Sequence, residues 1–313
     1  MVKLRNVTKV YRTGAFGGGK LKAVEDVSLS MEQGKVVSVI GESGSGKSTI
    51  GKMILRLISI TEGEILVNDK DISKLKGKSL KEYYRTVQGV FQDPFSTYNP
   101  VFKADRVFDI IRAEYFSDMK AKKWREKVES SLQSVGMVPE QVLNKYPHQL
   151  SGGQLQRLLI ARALLMDVDV LIADEIISML DASTRVDVLN LLIDLKDRGL
   201  SILFITHDLS LGYYISDYVV ILYRGSIAEM GYTDKVFYNP IHPYTRMLLT
   251  SVPRLDQKWE ESEEELMETQ EIAADSLEDR CKYYDRCHFA AESCGKPELK
   301  KVEEGHYTTC PRR

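Results

Sequence analysis

The chain has 313 residues, 43% hydrophobic and 28% charged, which fits a folded globular protein of about two domains. Its net charge of −2 excludes a global basic field for gathering nucleic acid, so no nucleic-acid partner is expected. No apolar run approaches the roughly 18 residues that cross a bilayer, and the start, Met1-Val2-Lys3-Leu4-Arg5, lacks a signal peptide's apolar block; an intracellular protein is expected, acting on a membrane only through partners.

Residues 2–11 read as a strand, 13–19 as the Gly-rich tip of a hairpin, and 24–29 as part of the returning strand. Val36-Val37-Ser38-Val39-Ile40 is a continuous apolar run between Gly34 and Gly41, the mark of a buried strand. Residues 49–58 then read as a helix, and 64–68 and 87–91 as further strands. From 101 to 137 the pattern turns helical and polar, with Trp124, Val128, Leu132 and Val135 at helical spacing, so a helical insertion is expected. Another buried strand follows at 168–173, a helix at 185–196 closed by Arg198-Gly199, and a strand at 201–206. Residues 219–229 read as a hairpin turning at Arg224-Gly225. Alternating strands and helices predict an α/β fold with a parallel sheet covered on its faces. Composition shifts near Pro253: residues 257–280 are strongly acidic, most simply a solvated linker or exposed helix, and a short tail carries all four cysteines.

Between the strand 36–40 and the next helix lies Gly41-Glu42-Ser43-Gly44-Ser45-Gly46-Lys47-Ser48-Thr49. It matches the phosphate-binding pattern GxxxxGK[ST] in the strand–loop–helix context that pattern needs. Backbone N–H groups at a helix start would wrap the ATP phosphates, with glycines at 41, 44 and 46 letting the backbone approach. Lys47 would charge-pair with the β- and γ-phosphates, and the Ser48 hydroxyl would ligate Mg2+. Val170-Leu171-Ile172-Ala173-Asp174-Glu175 is an apolar strand ending in two carboxylates, with Asp174 suited to the Mg2+ shell. Leu150-Ser151-Gly152-Gly153-Gln154 opens a helix through Arg162 and offers a second anion site from its N–H groups and the Ser151 hydroxyl.

With these two motifs in this order, the chain resembles the nucleotide-binding subunit of an ABC ATPase over nearly its whole length. That resemblance implies a P-loop ABC ATPase core with an antiparallel β-subdomain and a helical insertion subdomain. It places the nucleotide-binding domain at 1–235, with the insertion at about 93–166, and a small C-terminal extension at 236–313. It also implies roles for single residues. Glu175 is the general base. Gln92, in Phe91-Gln92-Asp93-Pro94, is the Q-loop glutamine touching Mg2+ and the attacking water. His207 is the switch histidine at the γ-phosphate, and Tyr11 stacks on adenine. Ser151, Gly152, Gly153 and Gln154 face the γ-phosphate held by a second ATPase subunit, identical or paralogous. Asp181, in Ser178-Met179-Leu180-Asp181, lies in the D-loop crossing that seam. Two positions depart from the pattern: Ile176-Ile177 replaces the usual Pro-Thr, which puts loop rigidity in question, and Leu155 stands where Arg or Lys is more common.

The tail resembles the C-terminal extension of oligopeptide/dipeptide permease ATPases, through His242-Pro243-Tyr244-Thr245, Leu248 and Val252-Pro253. Cys281, Cys287, Cys294 and Cys310 lack the C-x2–4-C knuckle usual for structural zinc, and four thiolates suit a [4Fe–4S] cluster. Members of this group with such cysteines can hold one. Zinc and free thiols are the alternatives; a cluster is expected to staple a small, core-poor extension. The resemblance implies two transmembrane permease subunits, an extracytoplasmic substrate-binding protein, and a location on the cytoplasmic face of the membrane. The implied function is ATP-driven peptide uptake, with oligosaccharides or nickel complexes as alternative cargo. A soluble ABC ATPase acting in translation or repair is the rival from another class; no second ATPase domain or long coiled coil supports it.

Overall fold

Apolar runs become strands wherever both faces can be covered. The protein is seen as a computed structural model that describes residues 1–13, 18–251, 280–296 and 298–310. In chain order its first elements are β1 (Val2–Thr13), β2 (Gly19–Met31), β3 (Val36–Ile40), α1 (Lys47–Ile54), β4 (Glu62–Val67) and β5 (Lys70–Asp71). Then come α2 (Gly77–Thr86), β6 (Val87–Val90), α3 (Pro94–Thr97), α4 (Arg106–Tyr115), α5 (Ala121–Ser134), α6 (Pro139–Val142), α7 (Gly152–Leu164), β7 (Val170–Asp174) and α8 (Ala182–Asp197). The last are β8 (Ser201–Thr206), α9 (Leu209–Ile215), β9 (Tyr218–Tyr223), β10 (Ser226–Tyr232), α10 (Thr233–Tyr238), α11 (Pro243–Thr250), β11 (Lys300–Glu303) and β12 (His306–Thr308).

These form two units, one of Met1–Met31, Val36–Ser73 and Phe204–Arg313, the other of Glu32–Lys35 and Lys74–Leu203. Strand β8 is shared: Ser201, Ile202 and Leu203 belong to the second unit, Phe204, Ile205 and Thr206 to the first.

The first unit contains an antiparallel sheet in the order β2-β1-β4-β5 and a run of strands ordered β11-β12-β10-β9-β3-β8. Strand β3 pairs in parallel with β9 and is buried along its whole length, which explains its unbroken apolar sequence. The β9–β10 hairpin turns where Arg224 and Gly225 both take positive φ (42° and 83°). A buried cluster joins Ile40, Val219, Ile221, Tyr223, Val236, Tyr244 and Tyr283. The second unit carries β8-β7-β6, with β6 and β7 parallel, and helices α2 to α8. There α5 buries Trp124, Val128 and Leu132, as their spacing predicts, and the Ser131 hydroxyl donates to Ala161 O at 2.6 Å. No helix among the described residues is long and apolar enough to cross a membrane.

Several expected elements differ in extent. The helix expected at 49–58 is α1, which stops at Ile54. Arg56 takes φ 54°, the Leu57 N–H reaches back to Lys52 O and the Arg56 N–H to Met53 O, a left-handed helix stop that usually uses glycine. The helical stretch expected over 101–137 comprises α4 and α5, separated by a turn in which the Met119 N–H donates to Phe116 O. Strands β6 and β7 end and begin at Val90 and Val170, inside the expected limits. The hairpin-tip residues 14–17 and most of the acidic run, 257–279, lie outside the described residues.

Among its described residues, the extension packs large side chains against β9 and β10. Tyr244 is completely buried, its ring centroid lies 4.5 Å from that of Tyr223 and 5.4 Å from that of Tyr283, and β12 adds to β10 with His306 and Thr308 buried. Aromatic side chains bury large areas, so Tyr244 and Tyr283 of the extension, packed on Tyr223 of β9, anchor it to the sheet.

Candidate nucleotide-binding site

The phosphate loop links β3 to α1. Gly46 precedes the helix with φ 100°, no side chain caps the helix start, and no acidic residue stands in its first turn. Two of its glycines are required by close approach. A Cβ on Gly41 would lie 2.1 Å from Leu222 O, and one on Gly46 would lie 2.3 Å from Ala23 O. Lys47 is 4% exposed, and its ammonium donates to Gly41 O (2.8 Å) and Glu42 O (2.9 Å), which curls the loop around its own charge. The Ser45 N–H closes a turn on Glu42 O, the Gly225 N–H donates to Ser45 O at 2.9 Å, and the Ser45 hydroxyl is buried without a hydrogen-bond partner. Ser48 and Thr49 occupy the first turn of α1, and Ser43 and Gly44 the loop crown. This is a concave row of backbone donors with a cation at its base, suited to a polyphosphate.

Also in the first unit, Tyr11 stands on β1, half-buried, with the Lys9 ammonium 5.1 Å from its ring centroid. His207 follows β8 and is exposed; the next residue, Asp208, caps α9 through the N–H groups of Ser210 and Leu211.

The second unit carries the candidate carboxylates. Asp174 ends β7 and is 7% exposed. Glu175 follows with φ 51°, a left-handed conformation unusual for a side-chain-bearing residue and a mark of functional turns. The Ser178 N–H and hydroxyl both donate to Glu175 O, while Arg185 donates to Leu180 O and Ser178 O. Ile176 and Ile177, where proline and threonine were expected, are 1% and 2% exposed. Two buried side chains and Arg185 therefore fix the turn that a proline would otherwise stiffen.

Gln92 follows β6 and is exposed, and Asp93 caps α3 through the N–H groups of Phe95 and Ser96. Ser151 and Gln154 form a reciprocal capping box at the start of α7: the Gln154 N–H donates to Ser151 Oγ (3.2 Å) and the Ser151 N–H to Gln154 Oε1 (2.9 Å). Gly153 packs on α8, where a Cβ would meet Thr184 Cγ2 at 2.4 Å, and the unusual Leu155 is completely buried. The Asp181 carboxylate accepts from the Thr184 N–H and the Ser183 and Thr184 hydroxyls, bonds that hold its pKa far below the usual carboxylate range. It is a helix cap.

The four cysteines line one pocket with His242, Tyr283, Tyr284 and Phe289. Burial first, then the neighbouring thiols, pushes the Cys281 pKa up to about 11, against a lowering hydrogen bond from the Tyr283 backbone. The His242 Nδ1 accepts the Tyr244 N–H, leaving Nε2 toward Cys281 Sγ at 3.9 Å. Among the described residues, no group of three or more His, Cys, Asp and Glu side chains is arranged to hold a single metal ion.

Sequence reasoning missed two residues at the loop. The Glu42 N–H donates to the Tyr244 hydroxyl at 3.0 Å, and Arg286 binds both Glu42 carboxylate oxygens at 3.2 and 3.1 Å. Only the His-Pro-Tyr-Thr segment gave a sign of the first, and nothing local marked the second.

Residues 24–178 match the ABC transporter family, and residues 228–294 match the oligopeptide/dipeptide transporter C-terminal region. The oligopeptide transport ATP-binding protein AppF of Bacillus subtilis is 38% identical over 99% of this chain and 96% of its own. The dipeptide transport ATP-binding protein DppF of Haemophilus influenzae is 39% identical over 93% of this chain and 89% of its own. Among solved structures, the ATP-binding cassette MJ0796, in a dimeric post-hydrolysis state bound to ADP and Pi, superposes with a TM-score of 0.66 at 31% identity, over 74% of this chain and 99% of that one. The buried Lys47 in its strand–loop–helix setting, the capped Ser-Gly-Gly helix and these likenesses over the full length agree: the chain belongs to the ABC transporter ATP-binding subunits of the oligopeptide/dipeptide permease family.

Proposed function

We propose that this chain is the ATP-hydrolysing subunit of an importer that takes up oligopeptides or dipeptides, working on the cytoplasmic face of the membrane with two transmembrane subunits and an extracytoplasmic binding protein. The observation that carries the reading is the phosphate loop, where a buried Lys47 stands at a helix start that no side chain caps. Lys47 and the loop N–H groups hold the β- and γ-phosphates. Ser48 and Asp174 bind Mg2+. Glu175 draws a proton from the attacking water, Gln92 orients that water, and His207 donates to the γ-phosphate as charge develops there. Tyr11 stacks on adenine. Ser151, Gly152, Gly153 and Gln154 complete the site of a second ATPase subunit, with Asp181 shaping the seam. The names of the curated relatives favour peptides over oligosaccharides or nickel complexes. Phe95, Val101 and Phe102, exposed by 51%, 73% and 43% in the ten residues after Gln92, are apolar side chains that a membrane subunit would cover.

The cysteine pocket is proposed to hold a [4Fe–4S] cluster. Four thiols lining one pocket are the donor set such clusters take. A single ion needs its ligands around one point, and no such group is arranged among the described residues; a cluster takes one thiolate per iron and spreads them wider. When bound, the cluster cross-links four points of the extension. Iron and labile sulfide in anaerobically purified protein would support it, and their absence would remove it.

The test of the whole reading uses the assembled importer. Hydrolysis rises when the binding protein is loaded with short peptides, and Glu175→Gln lowers kcat by about a hundredfold or more while MgATP binding persists. An unchanged kcat in Glu175→Gln removes the assignment of the base; no response to peptides removes the cargo.

A further inference from the structure

The phosphate loop carries a negative charge of its own. Glu42 is the second residue of a loop whose purpose is to gather a polyphosphate, and its side chain is 40% exposed. A carboxylate there opposes an anionic ligand, unless something neutralises it or turns it away.

The extension supplies a counter-charge. Arg286 donates to Glu42 Oε1 and Oε2 at 3.2 and 3.1 Å from a position 244 residues further along the chain. Its backbone is held by its neighbours. Lys282 pairs with Glu25 at 2.8 Å and Asp285 with Arg224 at 2.7 Å. Tyr283 packs in the buried cluster that contains Ile40, the residue just before the loop. From the other side, the Tyr244 hydroxyl accepts the Glu42 N–H. Residue 42 is therefore gripped at its backbone by one part of the extension and at its carboxylate by another.

We propose that Arg286 is a positioning residue for nucleotide binding: it cancels the Glu42 charge beside the phosphate loop and fixes that side chain away from the incoming triphosphate. This makes MgATP affinity a property of the C-terminal extension as well as of the loop. It rests on the reading of the loop as an ATP site.

The pair is partly exposed, so the effect is moderate and screened by salt. In equilibrium binding of MgATP to the full chain, Arg286→Ala is expected to weaken affinity about threefold to tenfold, and Arg286→Lys to keep most of it. The deciding variant is Arg286→Ala combined with Glu42→Gln. With no carboxylate left to neutralise, the double variant recovers most of the lost affinity, and the Arg286→Ala deficit shrinks as salt is raised. A purely structural role predicts a double variant as weak as Arg286→Ala and a deficit indifferent to salt; that result, or unchanged affinity in Arg286→Ala, overturns the proposal. Wild-type protein that fails to bind MgATP refutes the ATP-site reading itself, so the two failures are distinguishable.

Discussion

Helices α1 and α7 both begin at glycine-rich segments that face the task of satisfying a helix's first N–H groups, and they do it in opposite ways. At α1 no side chain caps the start, Gly46 enters with φ 100°, and a buried lysine stands at the first helical position. At α7 Ser151 and Gln154 cap one another, so the helix start is partly closed by its own sequence. A helix start without a cap is unstable unless something else supplies the acceptor, which is what an anion does. The difference separates a helix start left open beside a buried cation, at α1, from one closed by its own side chains, at α7; the proposed reading gives the first to the phosphates of this subunit's ATP and the second to a neighbour's.

The strongest way to break this contrast is to remove the charge at α1. Lys47→Ala is expected to lower MgATP affinity about tenfold to a hundredfold, read by equilibrium binding, because the remaining N–H groups act without a charge partner. At α7 the expected damage is structural. Gly153→Ala places a methyl 2.4 Å from Thr184 Cγ2, and Thr184 is pinned by its hydroxyl to Asp181 Oδ2 at 2.7 Å. The overpacking should cost about 1–3 kcal/mol in urea unfolding, and adding Thr184→Ser, which removes that methyl and keeps the hydroxyl, should restore most of it. Ser151→Ala should cost about 1 kcal/mol in the same assay through the lost cap, with MgATP affinity of the single chain unchanged. If instead it weakens MgATP binding by the isolated chain, the contrast between the two helix starts fails.

The smallest effect concerns the ties of the extension. Burial raises the Glu25 pKa, but the hydrogen bonds and charges of Lys282 and Lys22 outweigh it, and the net shift is downward. A carboxylate lowered on folding contributes stability above its unfolded pKa and loses it as pH falls through the folded value. Between about pH 5 and pH 3, the melting temperature of the wild type should therefore fall more than that of Glu25→Gln. Parallel curves would show that the Glu25–Lys282 pair contributes nothing.

Legibility in the sequence followed the range of the interactions. Strand β3 could be read to its exact limits because burial on both faces writes an unbroken apolar run. The Arg224-Gly225 turn was equally plain, as was the helical face of Trp124, Val128 and Leu132. The end of α1 was not, because Arg56 takes a left-handed φ that its side chain does not advertise. Residues Ile176 and Ile177 looked like a loss of rigidity, yet their burial and the grip of Arg185 hold the turn. Asp181 was placed in the D-loop at a subunit seam, and its three hydrogen bonds, which make it the cap of α8, could not be read from that motif.

The sequence by itself determined the phosphate loop, the Ser-Gly-Gly helix start, the paired carboxylates and the α/β class, since each is written in contiguous residues whose spacing matches a backbone geometry or a ligand. Tertiary structure alone decided that Tyr244 and Tyr283 of the extension pack on Tyr223 of β9, that β12 extends the sheet through β10, that four cysteines separated in sequence line one pocket, and that Arg286 reaches Glu42. Each of these joins residues far apart in the chain, and their meeting depends on how the intervening chain folds, which no local pattern records.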